Sequence, residues 1–280
     1  MIAESWDGFR WLVEEESDRE VLSKGEASVL RALYAISDAL RPKAFVDVGA
    51  YKGYYSVRMA KRCGRVVAFE PNPRNRRILE ENVRLNGLGN VTVLPYAAGE
   101  SRYRARLYPR AASSTLLEGY VKAEPVEVEV VPLDEAVDGA DVVKLDVEGY
   151  DWRAVQGMTG LIDRCRPTLV IEHHDFRGYR ISDYPAIKGF LRGRGYIELH
   201  LTEPHRLYYH ASRPMDVVKP LVADHWVNHC IINLEQGRPW YYGVPYTWWW
   251  GMSLVDFIHE IREHVLRPDE PEWLERLRAG

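Results

Sequence analysis

Short apolar runs alternate with amphipathic stretches through the middle of this chain. The apolar runs cover residues 44–48, 66–69, 91–94, 141–145 and 168–171. Between them, residues 54–62 and 74–86 carry apolar side chains at helical spacing, as does a stretch from about residue 152. Strands and helices in this order are typical of βαβ units, in which helices pack on a parallel sheet. The sequence therefore predicts an α/β fold with a mostly parallel, twisted sheet and helices on both of its faces.

Two regions depart from this alternation. Residues 103–108 and 126–131 alternate polar and apolar side chains without a strong helix between them, which predicts an inserted hairpin or edge strands. The insert contains a polar run at 113–115, which is either a loop that covers a substrate or a plain turn. Near the end of the sheet pattern, residues 196–201 and 206–210 predict two closing strands and hence an antiparallel edge strand.

Three regions follow from these patterns. Residues 1–43 are predicted to form an N-terminal helical segment, whose helix over 26–40 ends before Pro42. Residues 44–212 form the Rossmann-like domain. Residues 213–280 form an extension rich in aromatic residues, including the run 248–250. Aromatic rings there suit packing over the sheet edge, a homo-oligomer interface, or stacking on sugar rings.

Composition narrows the class of protein. The formal net charge is only -4, with both signs interspersed, so the basic field that favours nucleic-acid binding is absent. No run approaches the roughly 20 apolar residues of a membrane span, and the acidic N-terminus does not resemble a signal peptide, so we expect a cytoplasmic protein. Cys63, Cys165 and Cys230 lie far apart, which predicts neither a disulfide framework nor a zinc site.

Two predicted strand ends carry residues suited to a nucleoside. Ligands of open α/β sheets bind beyond the carboxyl ends of the strands. The first apolar run leads into Gly49 and Gly53, where glycine permits a tight turn and a close approach of the backbone to a ligand. Glu70 ends the second run, 21 residues after Gly49. A carboxylate at this place accepts hydrogen bonds from the hydroxyls of a ribose.

The residues between the two glycines bear on which nucleotide is bound. A dinucleotide needs its pyrophosphate bound by the pattern G-x-G-x-x-G. After Gly49 the chain has Ala50, Tyr51 and Lys52, so the second glycine of that pattern is missing. A nucleoside without phosphates, carrying an amino acid on sulfur, suits this turn better. Two alternatives remain: an NAD-dependent dehydrogenase, and a noncatalytic protein that binds a nucleoside or a glycan.

Three runs of sequence together resemble the FkbM family of S-adenosylmethionine-dependent methyltransferases. They are residues 45–53 (FVDVGAYKG), 69–73 (FEPNP) and 143–149 (VKLDVEG). The third run is the most specific, and the resemblance extends over about half of the chain, roughly residues 44–175. It implies a Rossmann-like class I methyltransferase fold, S-adenosylmethionine as the cofactor, and O-methylation of small molecules that include glycans and polyketides.

The resemblance also implies roles for single residues. Asp47, Gly49 and Gly53 would form the turn on the methionine side, and Glu70 would hold the ribose. Tyr96 and Ala97 would flank the adenine, and Asp146 would face the methionine ammonium or the acceptor. The full set of implied cofactor-binding residues is Asp47, Gly49, Ala50, Tyr51, Gly53, Glu70, Asn72, Tyr96, Ala97 and Asp146.

Acidic and imidazole side chains follow the fourth and fifth predicted strands. The candidate catalytic residues are Asp146, Glu148, His173 and His174. An alcohol acceptor must lose its proton, for which a histidine or a carboxylate is the usual base, whereas a carboxylate acceptor needs none. Strand alternation directs His173 and His174 to opposite sides, so at most one faces the cleft. No metal is predicted, because the acids show no recognised metal-binding spacing.

These observations predict an S-adenosylmethionine-dependent O-methyltransferase of the EC 2.1.1 class. The acceptor is a hydroxyl or a carboxylate of a small molecule or a sugar-containing compound. The alternatives named above, a dehydrogenase and a noncatalytic binding protein, differ in the ligand bound and in whether a methyl group is transferred.

Overall fold

The structure is a computed structural model of the chain. It describes residues 1–16, 18, 19, 22, 27–110, 114–119, 121–174, 183–201, 204–214, 240, 241, 244 and 245. Residues 1–213 and 214–280 form two compact units. The domain boundaries predicted after residues 43 and 212 stay predictions.

A short hairpin precedes the first helix. β1 (Ile2–Glu4) pairs antiparallel with β2 (Arg10–Leu12), and α1 (Ala27–Leu40) follows. The helix agrees with the predicted one. The sequence pattern does not predict the hairpin, because strands of three residues are too short to show an alternation of polar and apolar side chains.

The rest of the first unit follows the predicted alternation of strands and helices. As far as the end of the insert, the elements are β3 (Ala44–Val48), α2 (Tyr54–Met59), β4 (Arg65–Phe69), α3 (Pro73–Leu85), β5 (Val91–Leu94), β6 (Tyr96–Ala98), β7 (Tyr103–Leu107) and β8 (Val126–Val131). The remaining elements are α4 (Leu133–Ala136), β9 (Val142–Leu145), α5 (Asp151–Gln156), α6 (Thr159–Cys165), β10 (Thr168–Glu172), α7 (Tyr184–Arg192), β11 (Tyr196–His200) and β12 (His205–His210).

The larger sheet has seven strands in the order β11-β12-β10-β9-β3-β4-β5. Neighbours are parallel except at β12, which runs antiparallel to both β10 and β11. The predicted antiparallel pair therefore closes this end of the sheet, with the reversed strand one place in from the edge. From β3 the chain proceeds outward through β4 and β5, then returns to β9 on the other side. This confirms the Rossmann-like architecture and puts the switch point, where ligands bind in such sheets, between β3 and β9.

The two central strands are completely buried. Every residue of β3 and of β9 is buried, as expected for parallel strands covered on both faces. The apolar side chains of these strands pack with those of β10, α5 and α6 in one core. Among the helices within the described ranges, none is long and apolar enough to cross a membrane.

A second, smaller sheet follows β5. In it, β8 pairs in parallel with β6 and antiparallel with β7. The antiparallel pair of β7 and β8 is the predicted inserted hairpin. Between these strands, Thr115 exchanges two backbone hydrogen bonds with Tyr108, with N–O distances of 2.8 and 3.2 Å. The described insert therefore contains β7, β8 and this bridge, and a covering role for the run 113–115 stays a prediction.

Little of the second unit is described. β13 (Trp240–Tyr241) and β14 (Val244–Pro245) form an antiparallel pair there. The tryptophan run at 248–250 lies outside the described residues, so the predicted role of the extension as an oligomer interface or a sugar platform stays a prediction.

A buried arginine attaches the N-terminal hairpin to α2. The Arg58 side chain is fully buried, and its guanidinium donates to both oxygens of Asp7, at 2.6 and 3.3 Å. The same guanidinium lies 4.7 Å from the ring centre of Trp11 and 4.3 Å from that of Tyr54. A buried cation destabilises a fold unless a group of opposite charge accompanies it. Asp7 of the hairpin supplies that group for Arg58 of α2.

Asp7→Ala should therefore destabilise the fold. Removing the carboxylate leaves Arg58 buried without its counter-charge, and we expect the free energy of unfolding to fall by about 3 kcal/mol. Urea denaturation followed by circular dichroism measures this change. Glu4→Ala is the matched control, because Glu4 is an exposed acid on the same hairpin, and it should change stability little. Equal losses in the two variants would show that the ion pair contributes nothing.

Candidate active site

A tight turn joins β3 to α2 and lies against the end of β9. Gly49 has a φ of +83°, and a Cβ added there would overlap the backbone oxygen of Asp146. Gly53 has a φ of +92°, and its added Cβ would overlap the side chain of Leu79. Tyr51, between them, also takes a positive φ of 51°. The two glycines are therefore needed for close packing as well as for the shape of the turn.

Glu70 joins the ends of β3 and β4. One carboxylate oxygen accepts from the Tyr51 N–H at 2.7 Å, and the other accepts from the Asn72 N–H at 2.8 Å. The residue is 4% exposed. Burial raises the pKa of Glu70 to about 8, although the two backbone donors and the Arg76 guanidinium act in the opposite direction. Glu70 is thus held rigidly, and its charge changes near neutral pH.

Asp47 supports the same turn from within β3. Ser56 donates to one carboxylate oxygen at 2.6 Å, while the other oxygen is buried without a hydrogen-bond partner among the described residues. Burial raises the pKa of Asp47 to about 6, against the effect of the nearby Lys144 ammonium. A buried oxygen in this state is the kind of group that a ligand or an ordered water satisfies.

A cavity of about 320 Å³ lies beyond the carboxyl ends of β3, β4 and β9. This volume is at the lower end of the range for small-molecule sites. The cavity wall includes eight of the predicted site residues, which are Gly49, Ala50, Tyr51, Glu70, Tyr96, Ala97, Asp146 and Glu148. The glycine turn, the ribose candidate and the acceptor-side acids therefore share one cavity.

The other predicted residues lie outside the cavity wall. Asp47 and Gly53 shape the turn. Asn72 caps α3, accepting from the Arg74 N–H at 3.0 Å, and its side-chain amide donates to Ser114 at 3.2 Å. Its contacts thus fix the backbone beside Glu70, and its predicted contact with the cofactor stays a prediction. The two predicted histidines also lie behind the wall, in different surroundings.

Four carboxylates surround the imidazole of His174. The Nε2 atom is 3.3 Å from Glu148, 3.4 Å from Glu172 and 3.7 Å from Asp146. The Nδ1 atom is 3.9 Å from a carboxylate oxygen of Asp151. The first three acids contribute to the cavity wall. His174 thus holds together the carboxylates that face a ligand.

The surroundings of this cluster shift the pKa values of its members. Burial opposes protonation of His174, but the carboxylates around it, with Asp151 and Asp146 foremost, raise its pKa to about 10. Burial, together with the charge of Asp146, raises the pKa of Glu148 to about 7. At neutral pH the imidazolium has no free site for a proton, whereas a carboxylate with this pKa is suited to act as a base.

Lys144 supplies a buried cation to the same cluster. Its ammonium donates to Asp146 at 2.7 Å and lies 5.0 Å from the ring centre of Tyr55. The side chain is 2% exposed. In the described part of the cavity wall, this lysine is the one cationic side chain, and it accompanies four carboxylates: Glu70, Asp146, Glu148 and Glu172.

His173 faces a different environment from His174. Its Nε2 atom lies 2.9 Å from the Tyr208 hydroxyl, and its ring packs against Tyr184 with 4.9 Å between the ring centres. The structure therefore brings Asp146, Glu148 and His174 together and leaves His173 apart, packed among aromatic rings.

The same cluster could hold a metal ion. Donor atoms of Asp146, Glu148 and His174 lie within 4.8 Å of one another. An imidazole with two carboxylates suits a first-row transition metal. The spacing of the acids along the sequence does not indicate this arrangement, because His174 reaches the acids from the neighbouring strand.

Three residues that shape the site are absent from the predicted set. Glu172 is the last residue of β10 and pairs with both His174 and His205, the latter at 3.2 Å. Its position at a strand end is a usable signal in the sequence. Lys144 and Thr115 carry no such signal, since Lys144 lies within an apolar strand and Thr115 reaches the site only through the folding of the insert.

Gly49→Ala tests the close approach of the turn to β9. The added Cβ would overlap the Asp146 carbonyl, and the alanine would have to adopt a left-handed φ. We therefore expect the free energy of unfolding to fall by about 3 kcal/mol. Gly87→Ala is the control, because Gly87 has a φ of +62° but no atom within 4 Å of an added Cβ. It should cost only about 1 kcal/mol. If chemical denaturation gives the same loss for both, the contact with β9 is unimportant.

The chain is similar to one characterised sugar-modifying enzyme and to several solved structures. It is 26% identical over 155 residues to hexuronic acid methyltransferase AglP from Haloferax volcanii. The match covers 54% of this chain and 63% of that protein, so the chain spans less than two thirds of this relative.

Among solved structures, methyltransferase FkbM from Methylobacillus flagellatus is 21% identical, with a TM-score of 0.45 over 60% of this chain and 43% of that one. Precorrin-6y C5,15-methyltransferase from Geobacter metallireducens is 16% identical, with a TM-score of 0.41 over 67% of this chain and 77% of that one. Similarity of this extent says nothing about the substrate.

The sequence profile of a known domain provides the assignment to a family. Residues 47–198, more than half of the chain, match the profile of the methyltransferase FkbM domain. The matched region begins at the Asp47 turn and includes Glu70, the acidic cluster and His174. This chain belongs to the FkbM family of methyltransferases.

Proposed function

We propose that this chain is an S-adenosylmethionine-dependent O-methyltransferase whose acceptor is a hydroxyl group of a sugar-containing compound. The family supports methyl transfer. The relative named as a hexuronic acid methyltransferase supports a sugar-type acceptor. The observation that carries the choice of a hydroxyl is the position of Glu148 in a cavity wall dominated by carboxylates.

The residues of the first two strand ends fit the cofactor. Glu70 would accept the two ribose hydroxyls, and Tyr96 with Ala97 would flank the adenine. The Gly49 turn would face the methionine portion, near the buried Asp47 oxygen that has no hydrogen-bond partner among the described residues. Bound there, S-adenosylmethionine supplies a methyl group on a positively charged sulfur, a charge that the surrounding carboxylates favour.

The charge of the wall favours a neutral acceptor group. Glu148, Glu172 and Asp146 line the cavity, and Lys144 is already engaged with Asp146. An acceptor carboxylate would lie close to these like charges in a partly buried site, where repulsion is stronger than in water. A hydroxyl can instead donate its hydrogen bond to one of the carboxylates.

Glu148 is the proposed proton acceptor. S-adenosylmethionine, held by Glu70 and the Gly49 turn, would supply the methyl group for an in-line displacement by the acceptor oxygen, with the electrons of the carbon–sulfur bond left on sulfur. The hydroxyl proton passes to the Glu148 carboxylate. His174, 3.3 Å from Glu148, holds that carboxylate in place. Lys144 compensates the charge of Asp146. The main contribution of the protein is to orient the two reactants.

Cofactor affinity should rise with pH if Glu70 binds the ribose. The ionised Glu70 carboxylate accepts hydrogen bonds from both ribose hydroxyls. When Glu70 is protonated, one of its oxygens becomes a hydrogen-bond donor, which weakens its interaction with the ribose. Because the pKa of Glu70 is raised to about 8, the dissociation constant for S-adenosylhomocysteine should fall as pH rises from about 6.5 and level off above about 8.5. Calorimetric titration at several pH values measures this dissociation constant. The charged groups that act on Glu70 are Arg76 and Asp47.

Glu70→Gln is the control for this titration. It should weaken binding by roughly 10- to 100-fold and flatten the pH profile, because the amide does not titrate. Binding of NAD in preference to S-adenosylhomocysteine would favour a dehydrogenase. A pH dependence that persists in Glu70→Gln would assign the titration to another group.

Glu148→Gln should abolish most of the methyl transfer while leaving affinity for S-adenosylhomocysteine, whose sulfur is uncharged, unchanged. The amide keeps the shape of the side chain but cannot accept the proton, so we expect kcat to fall by roughly 100- to 10,000-fold. Glu80→Gln, on the exposed surface of α3, is the matched control. The assay follows transfer of a labelled methyl group to methyl glycosides of neutral hexoses and of the corresponding uronic acids.

The product identifies the acceptor group. A methyl ether on a hydroxyl survives mild alkali, whereas a methyl ester on a carboxylate is hydrolysed. We expect alkali-stable products from the neutral glycosides. Alkali-labile products only, or full activity of Glu148→Gln, would overturn the proposal.

A further inference from the structure

We infer that Thr115 is a positioning residue, which holds the backbone of Glu148 in the conformation that places its carboxylate in the cavity. This inference rests on the proposed function, in which Glu148 accepts the proton of the acceptor. Thr115 belongs to the insert between β7 and β8 and ends the polar run 113–115, but the sequence does not indicate its contact with Glu148.

The contact is a buried hydrogen bond between distant parts of the chain. Thr115 is 0% exposed, and its hydroxyl donates to the backbone carbonyl of Glu148 at 2.7 Å. The same hydroxyl oxygen accepts from the Leu117 N–H at 3.1 Å. Since a hydroxyl has one proton, the bond accepted from Leu117 leaves that proton directed at Glu148.

Thr115 is itself held in place on its backbone side. Its N–H and its carbonyl both bond to Tyr108, at 3.2 and 2.8 Å. Ser114 contacts Asn72 at 3.2 Å, and Leu116 lines the cavity. The segment is thus anchored on the small sheet and at the end of β4, which makes Thr115 a fixed point against which Glu148 is positioned.

Glu148 needs such a fixed point because its backbone is strained. Its φ is +51°, in the left-handed region that a residue with a Cβ rarely adopts, and Gly149 follows with a φ of +90°. This turn directs the Glu148 side chain toward His174, 3.3 Å away. Without the bond to its carbonyl, the backbone at Glu148 is free to leave the left-handed region, and the change in φ of Glu148 moves its carboxylate.

The test compares two substitutions that differ in the hydroxyl. Thr115→Val keeps the shape of the side chain and removes the hydrogen bond, whereas Thr115→Ser keeps the bond. In a crystal structure of Thr115→Val we expect Glu148 to leave its left-handed conformation and its carboxylate to move away from His174. In the methyl-transfer assay we expect kcat to fall by roughly 10- to 100-fold, with unchanged affinity for S-adenosylhomocysteine. Thr115→Ser should retain both the conformation and the rate.

Two outcomes would overturn the inference. One is a Thr115→Val structure in which Glu148 keeps its conformation and position. The other is an equal loss of rate in the valine and serine variants, which would indicate a packing role. Failure of the proposed function looks different: Glu148→Gln would then keep its activity, whatever the crystal structure of Thr115→Val shows about the backbone.

Discussion

The approach of the Gly49 turn to the Asp146 carbonyl fixes the geometry of the whole cavity. β3 and β9 are adjacent at the centre of the sheet, and the Asp146 N–H bonds to the Val48 carbonyl at 2.9 Å. The residues that follow β3 form the proposed cofactor side of the cavity. The residues that follow β9 form the proposed acceptor side. Because a glycine at this contact admits no intervening side chain, the two sides meet without a gap. The distance between the two proposed reactants is therefore set by the packing of two strands.

Electrostatics at the acceptor side depends on compensation within a small volume. His174 and Lys144 lie among the carboxylates of Asp146, Glu148, Glu172 and Asp151. Buried charges of one sign are tolerated only when opposite charges and hydrogen bonds accompany them. Lys144 is buried in the cavity wall and His174 is 12% exposed, and both are engaged with carboxylates, so the carboxylates dominate what a ligand meets. With Lys144 and His174 held among these carboxylates, the lining would favour the proposed neutral acceptor beside a positively charged cofactor.

The sequence predicts the large sheet well, because five of its seven strands are apolar runs of sufficient length between turn residues. Gly49 and Glu70 are also predictable, since both lie at strand ends that a parallel sheet brings to one edge. The sequence does not reveal the hairpin of β1 and β2, whose three-residue strands show no periodicity. It also leaves His173 and His174 equivalent, although one joins the acidic cluster and the other packs on Tyr184 and Tyr208. The contact of Thr115 with Glu148 spans 33 residues and depends on how the insert folds, which no local pattern encodes.

Only Pro95 separates β5 of the large sheet from β6 of the small one. The wall proposed to hold the adenine, at Tyr96 and Ala97, is therefore covalently continuous with the small sheet, and the connection between β7 and β8 brings Ser114 and Leu116 into the same cavity wall. The residues that join β7 and β8 belong to neither central strand. A change in this connection would alter the part of the cavity wall that Ser114 and Leu116 form, without changing the pairing of β3 with β9. Under the proposed function, the shape offered to the acceptor would therefore depend on one connection, which also carries Thr115, the residue inferred to hold Glu148.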